Sequence, residues 1–283
     1  MIDNAQLLRD LFDDSCLALE PAPFLETTPA PLTPARLADR VEGMLLGLAI
    51  GDALGNTSES MLPSERREYF GEIRDYRPHR AAERRRVGLP SDDTQLAFWT
   101  LEQLLADDGL VPDHLAQRFC RGRIFGIGNT VRTFIRRYKD QGLAWPAAGV
   151  ASAGNGAIMR IAPVLLPHLK QSSPALWADA AIAAMITHND RASTACCVAF
   201  IHLLWELLRR DTPPPRGWWV DTFCDVAEAL EGETRHRPRK NEVRPEEVGP
   251  LARYTRRVVL DALARERSVL DACNEWYSGA YLL

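Results

Sequence analysis

The stretch ASTACCVAFIHLLWELL, residues 192–208, is apolar nearly all round and contains a single charged residue, Glu206. A helix of this kind is typical of the interior of a large helical bundle, because a surface helix keeps one polar face. No apolar run in the chain reaches the roughly 18 residues that a membrane span needs. We therefore expect a buried helix here, and no membrane as a partner.

Apolar residues recur at helical spacing on both sides of this stretch, and segments of alternating polarity are almost absent. Thr33 before Pro34 and Ser173 before Pro174 each place a capping residue before a proline, which is typical of a helix start. These signals predict an all-α, compact multi-helix fold. Besides the helix that starts near Pro34, we predict helices over 92–107, 112–122, 129–139, 157–169, 174–187, 190–210, 218–231, 248–266 and 268–276.

Residues 1–35 differ from the rest because five prolines forbid a continuous helix: Pro21, Pro23, Pro29, Pro31 and Pro34. We divide the chain into this Pro-rich N-terminal extension, 1–35, and a helical domain, 36–283. We interpret the extension as a flexible leader. The alternative is an arm that docks on a protein partner.

The overall composition is that of an ordinary globular protein, with 46% hydrophobic residues among 283. The 34 basic and 38 acidic residues leave a net charge of −4, which argues against nucleic acid as a partner. Six cysteines form no C-x-x-C pair, and the first residues lack the basic and apolar parts of a secretory signal. We expect a reduced, cytoplasmic protein without structural zinc.

Glycines recur every four residues in the first long helix, at Gly43, Gly47, Gly51 and Gly55. Each glycine costs up to about 1 kcal/mol relative to alanine in a helix. Because side chains at i and i+4 share a face, the four leave a bare stripe. We expect another backbone to pack closely against that stripe.

Ser91-Asp92-Asp93-Thr94 directly precedes a helical run and can be interpreted in two ways. Serine is a favoured N-cap, and aspartates in a first turn complement the helix dipole. If the cluster lies in a cleft instead, its neighbouring carboxylates repel and favour a divalent cation such as Mg²⁺ or Mn²⁺. Asp52 and Glu59 supply further acid that could meet the same cleft.

Two glycine turns precede predicted helices, Gly126-Ile127-Gly128 and Gly154-Asn155-Gly156. Their backbone N–H groups could face an anionic or hydroxyl-rich ligand. The simpler alternative for the second turn is a loop with Asn155 in the left-handed conformation. His188 ends another predicted helix, where a histidine commonly complements the dipole.

Taken in order, these motifs resemble the ADP-ribosylglycohydrolase family. The resemblance runs from about Leu37 to the last residue, and the order and spacing of the motifs are specific together. The motifs are G-x-x-x-G-D-A-x-G from Gly47 to Gly55, Ser91-Asp92-Asp93-Thr94, Gly126-Ile127-Gly128, Gly154-Asn155-Gly156 with Met159-Arg160, and His188.

The resemblance implies an all-helical domain that holds two Mg²⁺ or Mn²⁺ ions in a cleft. The implied reaction removes ADP-ribose from a modified protein side chain, so the implied partners are ADP-ribosylated protein and ADP-ribose. By this resemblance Ser91, Asp92 and Asp93 bind metal, and Glu59 acts beside the metals and the scissile ribose as a catalytic residue together with Asp92 and Asp93. The implied substrate-binding residues are Gly126, Gly128, Ser152, Gly154, Asn155, Gly156 and His188.

One departure concerns the C-terminal D-x-D-T motif, from which the family supplies the other half of its metal site. Asp211-Thr212 and Asp221-Thr222 are the only Asp-Thr pairs after Asp93-Thr94, and neither has the preceding aspartate. We therefore expect that the chain is incomplete at its C-terminus. If residue 283 is the natural end, the alternative is a glycohydrolase-like scaffold that binds ADP-ribose or a protein without turnover.

A more remote alternative is a Mg²⁺-dependent all-helical terpene cyclase. Asp92-Asp93 and Asn189-Asp190 imitate the starts of its two metal motifs, but Leu96 and Cys197 stand where acidic residues are required. A cyclase pocket would be lined with aromatic side chains, whereas the glycohydrolase interpretation predicts Gly, Asn and Ser.

Overall fold

The computed structural model describes residues 3–33, 35–59, 61–79, 82–237 and 245–276. Its α-helices are α1 (Asn4–Asp13), α2 (Leu37–Gly55), α3 (Pro63–Phe70), α4 (Asp92–Asp107), α5 (Pro112–Phe119), α6 (Asn129–Ile135), α7 (Trp145–Ala148), α8 (Ala175–Met185), α9 (Arg191–Arg209), α10 (Trp218–Glu231), α11 (Leu251–Ala264) and α12 (Val269–Trp276). Short 3₁₀ turns cover Pro23–Glu26, Asn56–Ser58, Ile158–Arg160, Ala162–His168 and Pro245–Glu247. Across these ranges β-pairing is limited to isolated bridges, so the all-α prediction is confirmed.

The centre of the molecule is formed by α8 and α9. In α8 every residue from Leu176 to Met185 is buried, including Asp179, since alanines let neighbouring elements approach on all sides. Around this pair, α10 packs on α9, and α1 packs on α8. The 192–208 stretch, which has a single charged residue, thus lies mostly in the interior, as its composition predicts.

By length and composition α9 could also cross a membrane, in contrast to the expectation from the apolar runs alone. A buried core helix meets the same criterion. Trp205 and Ile201 of α9 are fully buried within the protein, which is the environment of a core helix.

Most predicted helices occur close to their predicted bounds, but the segment 157–169 does not form the predicted α-helix. It is two 3₁₀ turns instead. Pro163 and Pro167 lack the N–H groups that an α-helix needs there, which favours the shorter turns. Residues 136–140, predicted as the end of a helix, form a π-turn.

Neither Ser/Thr-Pro start signal acts as predicted. Arg36, in the left-handed conformation at φ 60°, precedes α2, which begins at Leu37 and not near Thr33; Pro34 lies outside the described residues. Pro174 itself precedes α8, without a side-chain cap. Neither helix therefore begins with a side-chain cap.

The N-terminal extension is not a flexible leader. Its apolar side chains enter the same core as α8 and α9; the buried ones are Leu8, Leu11, Leu17, Leu19 and Leu25. Asn4 donates a hydrogen bond to the buried Asp179 carboxylate at 2.6 Å. The apolar face that would serve a protein partner is therefore already buried within the chain.

The Pro-rich part of the extension covers two core tryptophans. The indole N–H of Trp177 donates to the carbonyl of Thr27, and that of Trp205 donates to the carbonyl of Ala30, both at 2.8 Å. Phe24 also packs on Trp177, with ring centroids 4.8 Å apart. Prolines suit this role because an extended backbone has free carbonyls to accept such bonds.

The expected close backbone contact along the glycine stripe of α2 is absent. A Cβ built on Gly43, Gly47, Gly51 or Gly55 would have no neighbouring atom within 4 Å. Gly43 and Gly47 instead border an apolar groove against α9, and Gly51 and Gly55 border a polar cleft. The missing side chains keep these two depressions open.

Candidate active site

A polar cleft of about 900 Å³ lies between α2, α4 and the two glycine turns. All the residues that the sequence assigned to catalysis, metal or substrate contribute to its lining: Glu59, Ser91, Asp92, Asp93, Gly126, Gly128, Ser152, Gly154, Asn155, Gly156 and His188. They come from five separate stretches of chain. The structure thus brings them together, while their individual roles remain predictions.

Asp52, which the sequence analysis left without a role, organises the acidic side of the cleft. Its carboxylate accepts hydrogen bonds from the backbone N–H groups of Ser91 and Thr94, at 2.7 and 3.1 Å. The hydroxyls of the same two residues also donate to it, at 2.7 and 2.6 Å. Burial alone would raise the pKa of Asp52, but these four bonds outweigh it and lower the pKa.

Asp52 therefore acts as the N-terminal cap of α4, supplied from α2. Ser91 precedes α4, as a capping residue would, but its side chain makes no capping bond within its own helix. The G-D-A-x-G motif places this aspartate at the end of α2 but gives no signal of its partner on α4. The cap locks α2 to α4 and leaves Asp92 and Asp93 free to face the cleft.

The three remaining carboxylates of the cleft hinder one another's ionisation. Burial, then the charge of Asp93, raises the pKa of Asp92 to about 6. Burial and the charge of Asp52 raise the pKa of Asp93. Glu59 lies at the exposed rim, where desolvation and the charges of Asp93 and Asp52 raise its pKa as well. The acidic side thus carries more negative charge than it can stabilise alone.

The turn at Gly126 and Gly128 supports this acidic side. Gly126 has φ +75°, and a Cβ there would lie 2.8 Å from Oδ1 of Asp92. A backbone hydrogen bond from Gly128 partly offsets the rise in the pKa of Asp92. Glycine is required at 126 by the conformation and by the proximity of Asp92.

The opposite side of the cleft is neutral. The Ser152 hydroxyl lies 2.9 Å from that of Thr130 and accepts a bond from the N–H of Gly154 at 3.4 Å. Asn155 is exposed and is not left-handed, so the simpler alternative for this turn is wrong. The turn leads into a 3₁₀ segment, which carries no α-helix dipole.

His188, only 1% exposed, closes the neutral side between α8 and α9. It follows the end of α8 and pairs with Val150 through an isolated bridge. Asp190, two residues later, caps α9 by accepting bonds from Ala192 and Ser193. Burial, then the charge of Arg160, lowers the pKa of His188 to about 3, so its imidazole is neutral at physiological pH.

The oxygen donors of the cleft suit a hard divalent cation, although no group of three or more His, Cys, Asp or Glu among the described residues is arranged to hold a metal. Asp52 has its oxygens engaged by four hydrogen bonds. The pKa values of Asp92, Asp93 and Glu59 are raised, and the positive charge of a cation would lower them. Mg²⁺ keeps several waters and needs only one or two protein carboxylates, so these residues fit it.

The residues around the cleft do not support the terpene cyclase alternative. Its described lining contains Gly, Ser and Asn but no aromatic side chain. Asn189, which imitates a second cyclase motif, binds the N-terminal extension through the backbone of Cys16 and Ala18. The second half of the imitation therefore has another structural role.

Comparison with known proteins agrees with this geometry. The model of the ADP-ribosylglycohydrolase family matches residues 33–281. The chain is 32% identical over 194 residues to the ADP-ribosylarginine hydrolase Tri1 of Pseudomonas putida (strain GB-1), covering 64% of this chain and 50% of that protein. It is 33% identical over 183 residues to the ADP-ribosyl-[dinitrogen reductase] glycohydrolase of Rhodospirillum rubrum, covering 62% and 60%.

A solved structure titled an ADP-ribosylglycohydrolase-related protein complex has the same fold, with a TM-score of 0.59 and 27% identity. That match covers 87% of this chain and 83% of the other. The match with the two relatives above spans only 50% and 60% of their length. With the family model matching most of its length, the chain belongs to the ADP-ribosylglycohydrolase family.

Proposed function

We propose that this protein is a Mg²⁺- or Mn²⁺-dependent hydrolase that removes ADP-ribose from modified protein side chains. The observation that carries the proposal is the arrangement of the cleft. Three carboxylates with raised pKa values line one side, and a neutral, glycine-rich turn with a buried histidine lines the other. A cation and a hydroxyl-rich ligand would complement the two sides.

Asp92, Asp93 and the Ser91 hydroxyl oxygen would hold the cation. A bound Mg²⁺ or Mn²⁺ would polarise ribose hydroxyls and lower the pKa of a water molecule. Asp52 would not contact it, because its oxygens cap α4; it keeps Ser91 and Asp93 in place instead. The single proton of the Ser91 hydroxyl points toward the carboxylates of Asp52 at 2.7 Å and Asp93 at 3.1 Å, which leaves the lone pairs of its oxygen for the ligand.

Glu59 would accept a proton from the water molecule that takes part in the reaction. It lies at the rim of the cleft, open to solvent, on the chain that follows α2. Because desolvation and then the charges of Asp93 and Asp52 raise its pKa, it can accept a proton from water more readily than an ordinary exposed glutamate can. The neutral turn opposite would hold the ligand without adding charge.

We propose arginine-linked ADP-ribose as the first substrate to examine. Two relatives of this chain, one from Pseudomonas putida (strain GB-1) and one from Serratia proteamaculans (strain 568), are named ADP-ribosylarginine hydrolases. The cleft is open enough to admit an extended side chain from a protein surface.

The test incubates arginine-linked and serine-linked ADP-ribosyl peptides with the protein and follows release of ADP-ribose by mass spectrometry. We expect release from the arginine-linked peptide, its loss in EDTA, and its recovery when Mg²⁺ or Mn²⁺ is restored. Release that is unchanged in EDTA would contradict the metal dependence.

Binding of ADP-ribose without any release from either peptide would instead favour a scaffold that binds without turnover. The absence of a three-carboxylate metal group among the residues that the structure describes is the observation behind that second candidate.

A further inference from the structure

Arg160 is a buried cation without a carboxylate partner among the described residues. It is 0% exposed, and its guanidinium lies over the ring of Phe119 at 4.6 Å from the centroid. One nitrogen, Nη2, donates to the carbonyl of Ala183 at 3.0 Å and to Oγ1 of Thr187 at 2.8 Å. Burying an unpaired charge is costly, so this arrangement needs a reason.

The Thr187 hydroxyl joins Arg160 to the cleft. It is fully buried, and its oxygen lies 2.9 Å from Nδ1 of His188. Oγ1 accepts from Arg160, and among the described residues Nδ1 of His188 is the acceptor within reach of its single proton. The reverse assignment would leave the buried hydroxyl proton with no acceptor among the described residues, which is unfavourable.

With Nδ1 accepting, the proton of the neutral imidazole lies on Nε2. That nitrogen lies against the glycine turn of the cleft. A Cβ built on Gly156 would be 2.9 Å from Nε2, and one built on Gly154 would be 3.5 Å from it. No described protein group accepts a hydrogen bond from Nε2, so the donor is available to the cleft.

We propose that Arg160 and Thr187 are positioning residues that hold His188 in the Nε2–H form, so that the neutral side of the cleft presents one fixed hydrogen-bond donor to a ligand oxygen. The orientation is a property of the free protein. Only the identity of the acceptor, a ribose or phosphate oxygen of ADP-ribose, rests on the proposed function.

The charge of Arg160 and the hydroxyl of Thr187 have separate parts in this arrangement. Arg160 is the charged group that faces His188, and its positive charge opposes a second proton on the ring. The Thr187 hydroxyl fixes which nitrogen of His188 carries the proton, because it can accept from Arg160 and donate to Nδ1 of His188 at once. A valine of the same shape could do neither.

The test records long-range ¹H–¹⁵N spectra of the whole chain with labelled histidine, in wild type, Thr187→Ser and Thr187→Val, at pH 7. The His188 signals are assigned by comparison with His188→Gln. We expect the Nδ1 resonance to be that of an unprotonated nitrogen and Nε2 that of a protonated one. Thr187→Ser should retain this pattern, and Thr187→Val should shift it toward a tautomer mixture.

A protonated Nδ1 in the wild type would overturn the proposal, as would a Thr187→Val pattern identical to the wild type. Circular dichroism on the three proteins confirms that each is folded. Should Thr187→Val fail to fold, Thr187→Ala provides the same comparison, since it also removes the hydroxyl.

Calorimetric titration with ADP-ribose adds a separate measurement. We expect about fivefold weaker binding by Thr187→Val and wild-type binding by Thr187→Ser. If the wild type does not bind ADP-ribose, the proposed function fails, while the spectra still decide whether the histidine is oriented as described.

Discussion

The two sides of the cleft face the same space but are stabilised in opposite ways. On the acidic side, burial and then the charges of neighbouring carboxylates raise the pKa values of Asp92, Asp93 and Glu59, so the side lacks a compensating charge. On the neutral side, His188 is kept uncharged by burial and by Arg160, with its Nδ1 paired to Thr187. The difference suggests that one side needs a ligand for its stability and the other is ready before any ligand arrives.

The largest expected effect comes from removing charge on the acidic side. Asp92→Asn and Asp93→Asn should each lower ADP-ribose release by about 100-fold or more, because both a cation ligand and a negative charge are lost. Without metal, neither variant should melt at a lower temperature than the wild type, since repulsion is relieved. Glu102→Gln on the outer face of the same helix is the matched control and should be nearly unchanged.

Release that is unaffected in both aspartate variants would contradict the role of the acidic side. A loss of melting temperature would show that these carboxylates are structural partners and not mutually repelling charges.

On the neutral side, Gly156→Ala should lower the free energy of unfolding by about 1–3 kcal/mol. Its Cβ would lie 2.7 Å from Cε1 of the buried His188 ring, which has no room to move. Gly154→Ala is the control in the same turn, because its Cβ would meet Ser152 and His188 only at 3.4 and 3.5 Å. Urea denaturation of the two variants measures the difference, and equal stability would be the contrary result.

A comparison of Gly126, which lines the acidic side, with Gly142, which is not part of the cleft lining, separates contact from backbone strain. Gly126 and Gly142 both have positive φ, +75° and +69°, but only Gly126 lies against Asp92. Both alanine variants should lose about 1 kcal/mol of stability from the conformation. Gly126→Ala should also lower release of ADP-ribose about tenfold by displacing Asp92, whereas Gly142→Ala should retain it. Equal rates of ADP-ribose release by the two variants in kinetic assays would show that the contact between Gly126 and Asp92 does not matter for activity.

The smallest expected effect is the pH dependence of metal-free stability, which has opposite signs on the two sides. The folded pKa of His188, about 3, is below its unfolded value near 6.5, so its contribution is present at pH 7 and lost as the pH falls through that range. The folded pKa of Asp92, about 6, is above its unfolded value, so its contribution is present at low pH and lost as the pH rises.

As the pH falls from 6.5 to 5.5 in EDTA, His188→Gln should therefore gain stability relative to wild type, by about 1 kcal/mol, and Asp92→Asn should lose stability relative to wild type. Melting temperatures across this range measure both trends. Parallel curves for all three proteins would show that neither group titrates as described.

Sequence patterns predict the helices well where helical spacing and burial agree, as in α4, α9 and α10. They fail at 157–169, where the apolar spacing is helical but Pro163 and Pro167 remove backbone donors. Every residue that the motifs assigned to the cleft contributes to its lining. It could not show that Asp52 caps α4, because that bond joins residues about 40 positions apart.

The same limit explains the two larger errors. Prolines in the extension exclude a helix, but only tertiary contacts show that Thr27 and Ala30 accept bonds from core tryptophans. Glycine spacing in α2 shows a bare stripe, but not whether a neighbour fills it. What occupies a surface depends on distant parts of the chain.

The cover that the extension places over Trp177 and Trp205 has a practical consequence for choosing fragments. Cutting the chain at the start of the family match, near residue 33, would leave two indole N–H groups without their acceptors and would remove the Asn4 amide from Asp179, which would keep His168 as a partner. The fluorescence of Trp177 and Trp205 would shift to longer wavelength as water reached the indole rings. Recombinant production should therefore keep the segment from Asp3 onward.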